Sequence, residues 1–302
     1  KERTPRSTSG ALRMLTEGQH QFDVLDSQSD FSPYRLLVLP DEIVVDESLA
    51  QKITDYVEHG GSLITSYKSG YQSEGTMLFE RLTGVQIEGE AELSPDFIIP
   101  QGEIGDGLPP TAHTMYMKGM ALSLLEGEEL AETHVPYFNR TWEHYCSHRH
   151  TPSASKKGKP GIVRKGNVIT FAHPIFLQYE QNSPLWVKRL FLNAVKMLLP
   201  DPVLQVKGPS TVIATVNRQE IENRDVIHLL HFIPERRGRD FDIIEDVIPL
   251  TRIPIRLKVD REVAHVRVVP NDDFLHFDVE EGVLYFVNPI ISGHCMVEVQ
   301  YQ

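Results

Sequence analysis

The sequence predicts an α/β fold with a parallel sheet, followed by an all-β antiparallel sandwich domain. Residues 34–70 read as strand, loop, helix and strand, which is the right-handed crossover unit of a parallel sheet. Beyond residue 202, short segments of alternating hydrophobicity are separated by turns, which is typical of a sandwich. Because Pro200-Asp201-Pro202 divides the two patterns and 302 residues suffice for two domains, we expect domains at 1–201 and 202–302.

The crossover unit begins with an apolar run, Arg35–Leu39, which suits a buried parallel strand and is ended by Pro40. Asp46 is a good N-cap for the helix that follows, and Gly60 suits the left-handed position after its end. The apolar residues of that helix share one face: Leu49, Ile53, Tyr56 and Val57. Ser62–Ser66 is then the second strand.

The rest of the first domain reads as shorter elements. A helix is predicted from about Gly10 to Gly18, and a stronger one begins with Ser183 as N-cap. A short helix is predicted at Met77–Leu82, and strands at Phe22–Leu25, Val85–Ile87, Phe97–Ile99, Leu122–Leu125 and Thr133–Tyr137. Thr151–Pro160 is predicted to be a flexible basic loop, and a hairpin about Lys165-Gly166 returns the chain to the sheet.

The second domain is predicted from seven strand-like segments with turns between them. They are Thr211–Val216, Val226–Phe232, Ile253–Val259, Ala264–Val269, Leu275–Val279, Val283–Val287 and Cys295–Tyr301.

Charge and composition exclude several classes of partner. The net charge of −12 argues against nucleic acid, since phosphate binding needs a concentrated basic face. The sequence has no apolar run near 18 residues and no signal-peptide pattern, so we expect no membrane partner. Cys146 and Cys295 lie far apart, which favours a reducing, cytoplasmic location over a disulfide framework. The chain begins at Lys1 in a polar stretch, and we expect that further sequence precedes it.

One motif has the residue types of a metal site, His144-x-Cys146-x-His148-x-His150. Three imidazoles and a thiolate make a tetrahedral zinc set, and alternate residues of a strand would face one side. The spacing differs from common zinc motifs, so a His-rich loop packed on another domain is the stronger interpretation. A third interpretation is that His144, His148 and His150 help to close a sugar site. We expect no resident metal and no cofactor.

His173 and Tyr179 follow the end of a predicted strand, where open α/β sheets often bind ligands. Aromatic and imidazole side chains also suit sugar faces, so both residues are substrate-cleft candidates. The alternative, that Phe176 and Tyr179 pack under the helix after Ser183, is the stronger interpretation.

The segment from Leu12 to Gly70, with QFDVLD, YRLLVLPDE and EHGGSLITSYKSG, resembles the beta-galactosidase trimerisation domain. EHYCSHRHTP, NVITFAHPIFLQY, LLPDPVLQVKGPS and DVIHLLHFIPERR resemble a less characterised branch of glycoside hydrolases related to family 42 beta-galactosidases. The resemblance implies a flavodoxin-like, class I glutamine amidotransferase-like open parallel sheet. It also implies a homo-oligomer, dimer or trimer, and an upstream barrel that carries both catalytic carboxylates. This chain is too short to hold that barrel as well.

Amidotransferases of this fold place a nucleophilic Cys after the second strand, but here the turn is Ser66-Tyr67-Lys68-Ser69-Gly70. We therefore expect no catalytic residue in this chain. Three functions stay open: an oligomer-forming part of a glycoside hydrolase that also walls its substrate cleft, a stand-alone carbohydrate or small-molecule binding protein, and an enzyme using Ser66 or the His/Cys motif.

Overall fold

The computed structural model describes residues 5–70 and 80–302. The chain folds into two compact units. Unit 1 runs to Met14 and then from Leu25 to Pro200, and unit 2 comprises Leu15–Val24 and Asp201–Gln302. The five α-helices of the described residues are α1 Arg6–Glu17, α2 Glu47–Glu58, α3 Glu80–Thr83, α4 Ile175–Asn182 and α5 Leu185–Leu198.

Unit 1 contains a seven-stranded mixed sheet and a separate two-stranded pair. Its strands are β1 Leu36–Leu39, β2 Ser62–Ser66, β3 Val85–Glu90, β4 Asp96–Pro100, β5 His113–Met115, β6 Met120–Leu124, β7 Glu128–Pro136, β8 Ser153–Lys165 and β9 Val168–Phe171. The order in the large sheet is β1-β2-β9-β8-β7-β4-β5, and β3 pairs with β6. Among the described strands of this sheet, β1, β2 and β9 run parallel to one another, and the remaining pairs are antiparallel. The prediction of an α/β region is confirmed, but its sheet is mixed.

The predicted crossover unit forms as expected. Asp46 caps α2 by accepting a hydrogen bond from the Leu49 backbone N–H at 2.8 Å. Gly60 follows the C-cap residue with a φ of 98°, which favours glycine. Ala50, Ile53 and Val57 of α2 are buried in one cluster with Leu63 of β2 and Val168 of β9. The apolar face of the helix therefore covers the parallel part of the sheet.

The predicted flexible loop at Thr151–Pro160 is wrong from Ser153 onward. These residues begin β8, which pairs antiparallel with β7. Lys157 lies against two acidic residues of β7, Glu129 at 2.9 Å and Glu132 at 3.1 Å. The lysines thus belong to the polar side of a strand whose pairing partner lies some 25 residues earlier in the sequence.

Two further predictions are also wrong. Phe22–Leu25 forms no strand, although the nearby Gln21 side chain donates to Ala214 O at 3.0 Å and accepts from Val216 N at 2.9 Å within unit 2. Ser183 does not cap α5 but ends α4, with left-handed dihedrals (φ 46°, ψ 46°) and its N–H bonded to Tyr179 O. Of the predicted helix Met77–Leu82, residues 80–82 lie in α3 and residues 77–79 lie outside the described residues.

Unit 2 is built from antiparallel strands: β10 Leu204–Val206, β11 Val212–Gln219, β12 Arg224–His231, β13 Glu235–Arg236, β14 Asp242–Ile243, β15 Leu250–Lys258, β16 Val263–Val269, β17 Asp273–Leu275, β18 Phe277–Glu280, β19 Val283–Ile291 and β20 Gly293–Tyr301. They form the sheets β10-β15-β19-β18 and β11-β12-β20-β16-β17, with a small hairpin of β13 and β14. Both large sheets contribute to one hydrophobic cluster, with Leu257 and Leu284 from one and Ile227 and Val297 from the other. The prediction of an antiparallel β-rich region is confirmed.

No helix in residues 5–70 and 80–302 is both long and apolar enough to cross a membrane.

Candidate functional site

The carboxyl ends of the parallel strands β1, β2 and β9 are where open α/β sheets usually bind ligands. The residues just beyond these ends are Asp41, Tyr67 and His173. Tyr67 has a φ of 53° and Asp41 a φ of 51°, so both turns use the sparsely populated left-handed region. A strained turn after β2 is also where a nucleophile would stand, but this position holds Tyr67.

Asp41 is fully buried at this edge and belongs to a closed hydrogen-bond network. One carboxylate oxygen accepts from Ser66 Oγ at 2.7 Å and the other from the backbone N–H of Leu177 at 2.6 Å. Burial raises the pKa of Asp41 to about 7, although the hydrogen bonds from Leu177 and Ser66 oppose the increase. A backbone N–H in the first turn of α4 thus donates to the protein's own carboxylate, Asp41. The N-terminus of a helix is also where a ligand anion can bind.

Ser66 and Ser69 are both buried and engaged in structural contacts. Ser66 Oγ donates to the Asp41 carboxylate and accepts from the Asp41 backbone N–H at 2.8 Å. Ser69 Oγ accepts from the Ile43 backbone N–H at 3.1 Å. The Ser66 hydroxyl proton therefore faces a carboxylate rather than the imidazole that activates a nucleophilic serine.

His173, a predicted cleft residue, is buried rather than exposed. Its Nε2 lies 2.7 Å from Oδ1 of Asp96, the first residue of β4. A Cβ at Gly119 would come within 2.7 Å of the His173 ring, so only glycine fits against it. Tyr179, the other candidate here, is also buried, and the neighbouring Phe176 packs edge-on against Phe191 of α5 at 4.9 Å between ring centroids.

The His/Cys motif lies in an irregular segment, which we call the His loop (residues 137–152). The predicted strand alternation is absent there, so the four side chains do not share a face. His144 stacks on Phe138 at 3.9 Å, and His150 contacts the rings of Phe97 and Tyr116. Across the described residues, no group of three or more His, Cys, Asp or Glu side chains is placed to hold a metal ion.

Hydrogen bonds hold the His loop in place. Thr151 Oγ1 donates to Phe138 O at 2.9 Å, which closes the base of the loop. The Asn139 side chain accepts from Ser94 N at 2.8 Å and donates to Glu92 O at 2.9 Å. Cys146 Sγ donates to the backbone oxygens of His148 and His150, at 3.5 Å each. The thiol is therefore hydrogen-bonded to the backbone of the same loop.

The His loop presents two aromatic rings that sequence reasoning did not single out. Trp142 is 85% exposed and Tyr145 is 70% exposed. With Arg140, Arg149 and Ser94 they line an open cleft of about 540 Å³. Large aromatic side chains in an otherwise polar stretch, WEHYCSHRH, were the available signal. Within residues 5–70 and 80–302, this cleft offers exposed aromatic rings, while Asp41, Ser66 and His173 at the edge of the parallel strands are buried.

Comparison with known proteins finds similarities to beta-galactosidases. Residues 12–91 match the family model of the beta-galactosidase trimerisation domain. Beta-galactosidase LacA of Lactobacillus acidophilus is 32% identical over 91 residues, which are 28% of this chain and 14% of that protein. Beta-galactosidase GanA of Bacillus subtilis is 28% identical over 78 residues, 26% of this chain and 12% of that protein. The chain thus matches about a seventh or less of these relatives.

Two solved structures extend the similarity over the rest of the chain. Alpha-L-fucosidase isoenzyme 2 from Paenibacillus thiaminolyticus is 32% identical with a TM-score of 0.94, covering 99% of this chain and 46% of its own. A GH42 beta-galactosidase from G. stearothermophilus shares the fold at 15% identity, with a TM-score of 0.64 over 100% of this chain and 37% of its own. The resemblance drawn from the sequence is confirmed, since residues 12–91 match the model of the beta-galactosidase trimerisation domain.

Proposed function

We propose that this chain is the assembly part of a glycoside hydrolase, which holds two or three subunits together. The observation that carries the proposal is the match of residues 12–91 to the trimerisation domain. The similarity to a fucosidase over 99% of this chain, but only 46% of the fucosidase, supports the view that the catalytic barrel lies outside these residues. The mass of the chain in solution tests the assembly, since a monomer contradicts it.

We infer that the chain folds as two domains, 1–201 with a flavodoxin-like, amidotransferase-like core and 202–302 as a β-sandwich. The segment Leu15–Val24, although it lies within 1–201, belongs to the same compact unit as the sandwich. The first assignment is supported by the crossover from β1 through α2 to the parallel strand β2. The second is supported by two antiparallel sheets that share one hydrophobic cluster. Both cysteines are free thiols, which is consistent with a cytoplasmic location.

The same chain contributes no catalytic group in this proposal. Asp41 and Ser66, the polar residues at the edge where an amidotransferase would act, satisfy each other and the first turn of α4. A buried carboxylate paired with a hydroxyl and a backbone N–H stabilises the turn and offers substrate no access.

We further propose that the His loop walls the substrate cleft of its own or a neighbouring subunit. Trp142 and Tyr145 present broad apolar faces suited to the C–H face of a sugar ring, and Arg140 and Arg149 supply donors for its hydroxyls. The substrate class is an α-L-fucoside or a β-D-galactoside, the two classes named by the similar enzymes.

Hydrolysis of 4-nitrophenyl α-L-fucoside and β-D-galactoside by the complete gene product tests this function. We expect hydrolysis of one of them, none by the 302-residue chain alone, and a several-fold rise in KM on Trp142→Ala. Ile221→Ala, at a fully exposed turn position of unit 2, is the matched control. Hydrolysis by the isolated chain contradicts the proposal and favours an enzyme in its own right. Failure of the complete product on both substrates contradicts it as well and favours a stand-alone binding protein.

A further inference from the structure

Unit 2 has an open cleft of about 1070 Å³ beside β15, β18 and β19 of the sheet β10-β15-β19-β18, and Arg218 of β11 also lines it. Ile255, Leu257 and Leu284 of this sheet point into the hydrophobic cluster. Because side chains alternate along a strand, Arg256, Lys258 and Tyr285 face the other way and line the cleft. All of its lining residues lie between Asp201 and Tyr285, so the cleft belongs to unit 2 alone.

A polar row crosses the sheet beside this cleft. In the strand register Gln205 is opposite Arg256, Arg256 is opposite Tyr285, and Tyr285 is opposite Asp278. The Arg256 guanidinium lies 5.9 Å from the centroid of the Tyr285 ring, which is cation–π distance. Tyr285 remains 38% exposed. The sheet thus offers an aromatic platform with hydrogen-bonding groups on both sides.

The charges of the lining nearly cancel. Arg218, Arg256 and Lys258 stand against four carboxylates, those of Asp201, Asp260, Glu280 and Glu281. Arg256 and Lys258 approach Asp201 at 3.6 and 3.3 Å, and Arg218 holds Asp260 through two hydrogen bonds of 3.0 and 3.1 Å. A near-neutral lining gives no attraction for nucleic acid or phosphate. The core of a protein–protein interface is depleted of charged residues, so a lining with this many charges is not typical of such an interface.

We propose that this cleft binds a neutral oligosaccharide. A sugar presents an apolar C–H face that matches the Tyr285 ring, and hydroxyls that both donate and accept hydrogen bonds. The contacts of Arg256 and Lys258 with Asp201 exceed the usual hydrogen-bond length, so these donors retain capacity for hydroxyl oxygens. The volume of about 1070 Å³ slightly exceeds the range of about 300–1,000 Å³ typical of small-ligand pockets, so the cleft has room for several sugar units. The site is independent of the assembly function proposed for residues 12–91.

Isothermal titration calorimetry of the 302-residue chain tests the proposal. The neutral probes are β-1,4-galactotetraose, xylotetraose, cellotetraose and 2′-fucosyllactose, and tetragalacturonate is the anionic comparator. We expect at least one neutral probe to bind and tetragalacturonate not to bind. Absence of binding by all four neutral probes, or a preference for tetragalacturonate, overturns the proposal.

Two variants locate the binding. Tyr285→Ala should weaken it at least tenfold, and Arg256→Gln should weaken it several-fold while preserving the aromatic platform. The matched control is Phe274→Ala, which removes an exposed aromatic ring of β17 in the same unit. Unchanged binding in both cleft variants overturns the assignment, as does an equal loss in the control. Far-UV circular dichroism identifies any variant that fails to fold.

Discussion

Each of the two units buries a carboxylate, and the surroundings shift the pKa values of the two carboxylates in opposite directions. In unit 1, Asp41 is surrounded by a hydroxyl and backbone N–H groups, and burial raises its pKa to about 7. In unit 2, Glu298 of β20 accepts from Arg267 Nε and from Arg224 Nη1, each at 2.5 Å. The Arg267 contact, with that of Arg224, lowers the pKa of Glu298 to about 2.

The difference shows what each carboxylate does for its fold. Glu298 lies on the central strand of its sheet with Arg267 directly opposite on β16, so the ion pair fastens neighbouring strands. Asp41 instead connects the end of β1 with β2 and the start of α4. It stabilises a turn region through hydrogen bonds from a hydroxyl and a backbone N–H.

The largest effect is expected from Glu298→Gln, which leaves two guanidiniums facing a neutral amide. Breaking a buried ion pair costs about 3–5 kcal/mol of stability. We expect the lower end of this range because the side chains of Arg224 and Arg267 are 32% and 28% exposed to solvent. Urea unfolding followed by far-UV circular dichroism measures the change. Glu235→Gln, in the exposed pair with Arg237, is the control and should cost under about 0.5 kcal/mol. Equal effects of the two variants would contradict the assigned role of Glu298.

Asp41→Asn should destabilise unit 1 by about 1–3 kcal/mol near pH 5. The side-chain amide of asparagine would place N–H donors against Ser66 Oγ or the Leu177 N–H, both of which donate to Asp41 in the wild type. Both tryptophans, Trp142 and Trp186, lie in unit 1, so their fluorescence follows this transition. The exposed neighbour Glu42→Gln is the control. A variant as stable as the wild type would show that the network does not support the turn.

The two carboxylates should respond oppositely to pH. The pKa of Asp41 is raised, so the native state binds more protons, and its contribution to stability falls as pH rises from about 4 to 7, by at most about 1.4 kcal/mol per unit. The pKa of Glu298 is lowered, so its contribution is lost as pH falls from about 4.5 to 2. Unfolding free energies of wild type minus variant should therefore shrink toward neutral pH for Asp41→Asn and toward acid for Glu298→Gln. Shifts in the same direction would refute the contrast.

The smallest effect is expected from Ser66→Ala, about 1–2 kcal/mol, the net value of its two hydrogen bonds with the Asp41 carboxylate and backbone N–H. Tryptophan fluorescence in urea measures it, with the exposed Ser32→Ala as control. Hydrolysis by the complete gene product should be unchanged. Loss of hydrolysis in a folded Ser66→Ala protein would instead restore Ser66 as a nucleophile.

The elements that could be predicted from sequence are those with local signals. Helix α2 has its cap at Asp46, its glycine at position 60 and one apolar face, so neighbouring residues alone define it. The strands of unit 2 alternate in burial, as along β15, and the sequence shows that alternation directly. Residues 12–70 also contain enough of the family pattern to indicate the trimerisation domain.

The elements that could not be predicted depend on partners far along the chain. The polar start of β8 becomes a strand because Lys157 meets Glu129 and Glu132 of β7. Asp41 is 136 residues from Leu177, and Asp96 is 77 residues from His173. No local pattern indicates such pairs, so the sequence names His173 as a cleft candidate but not Asp96 as its partner.

Light scattering coupled to size exclusion tests whether this chain holds subunits together, as proposed above. The measurement uses the 302-residue chain over a hundredfold range of concentration. We expect a constant mass of two or three chains. A mass of one chain at every concentration would contradict it.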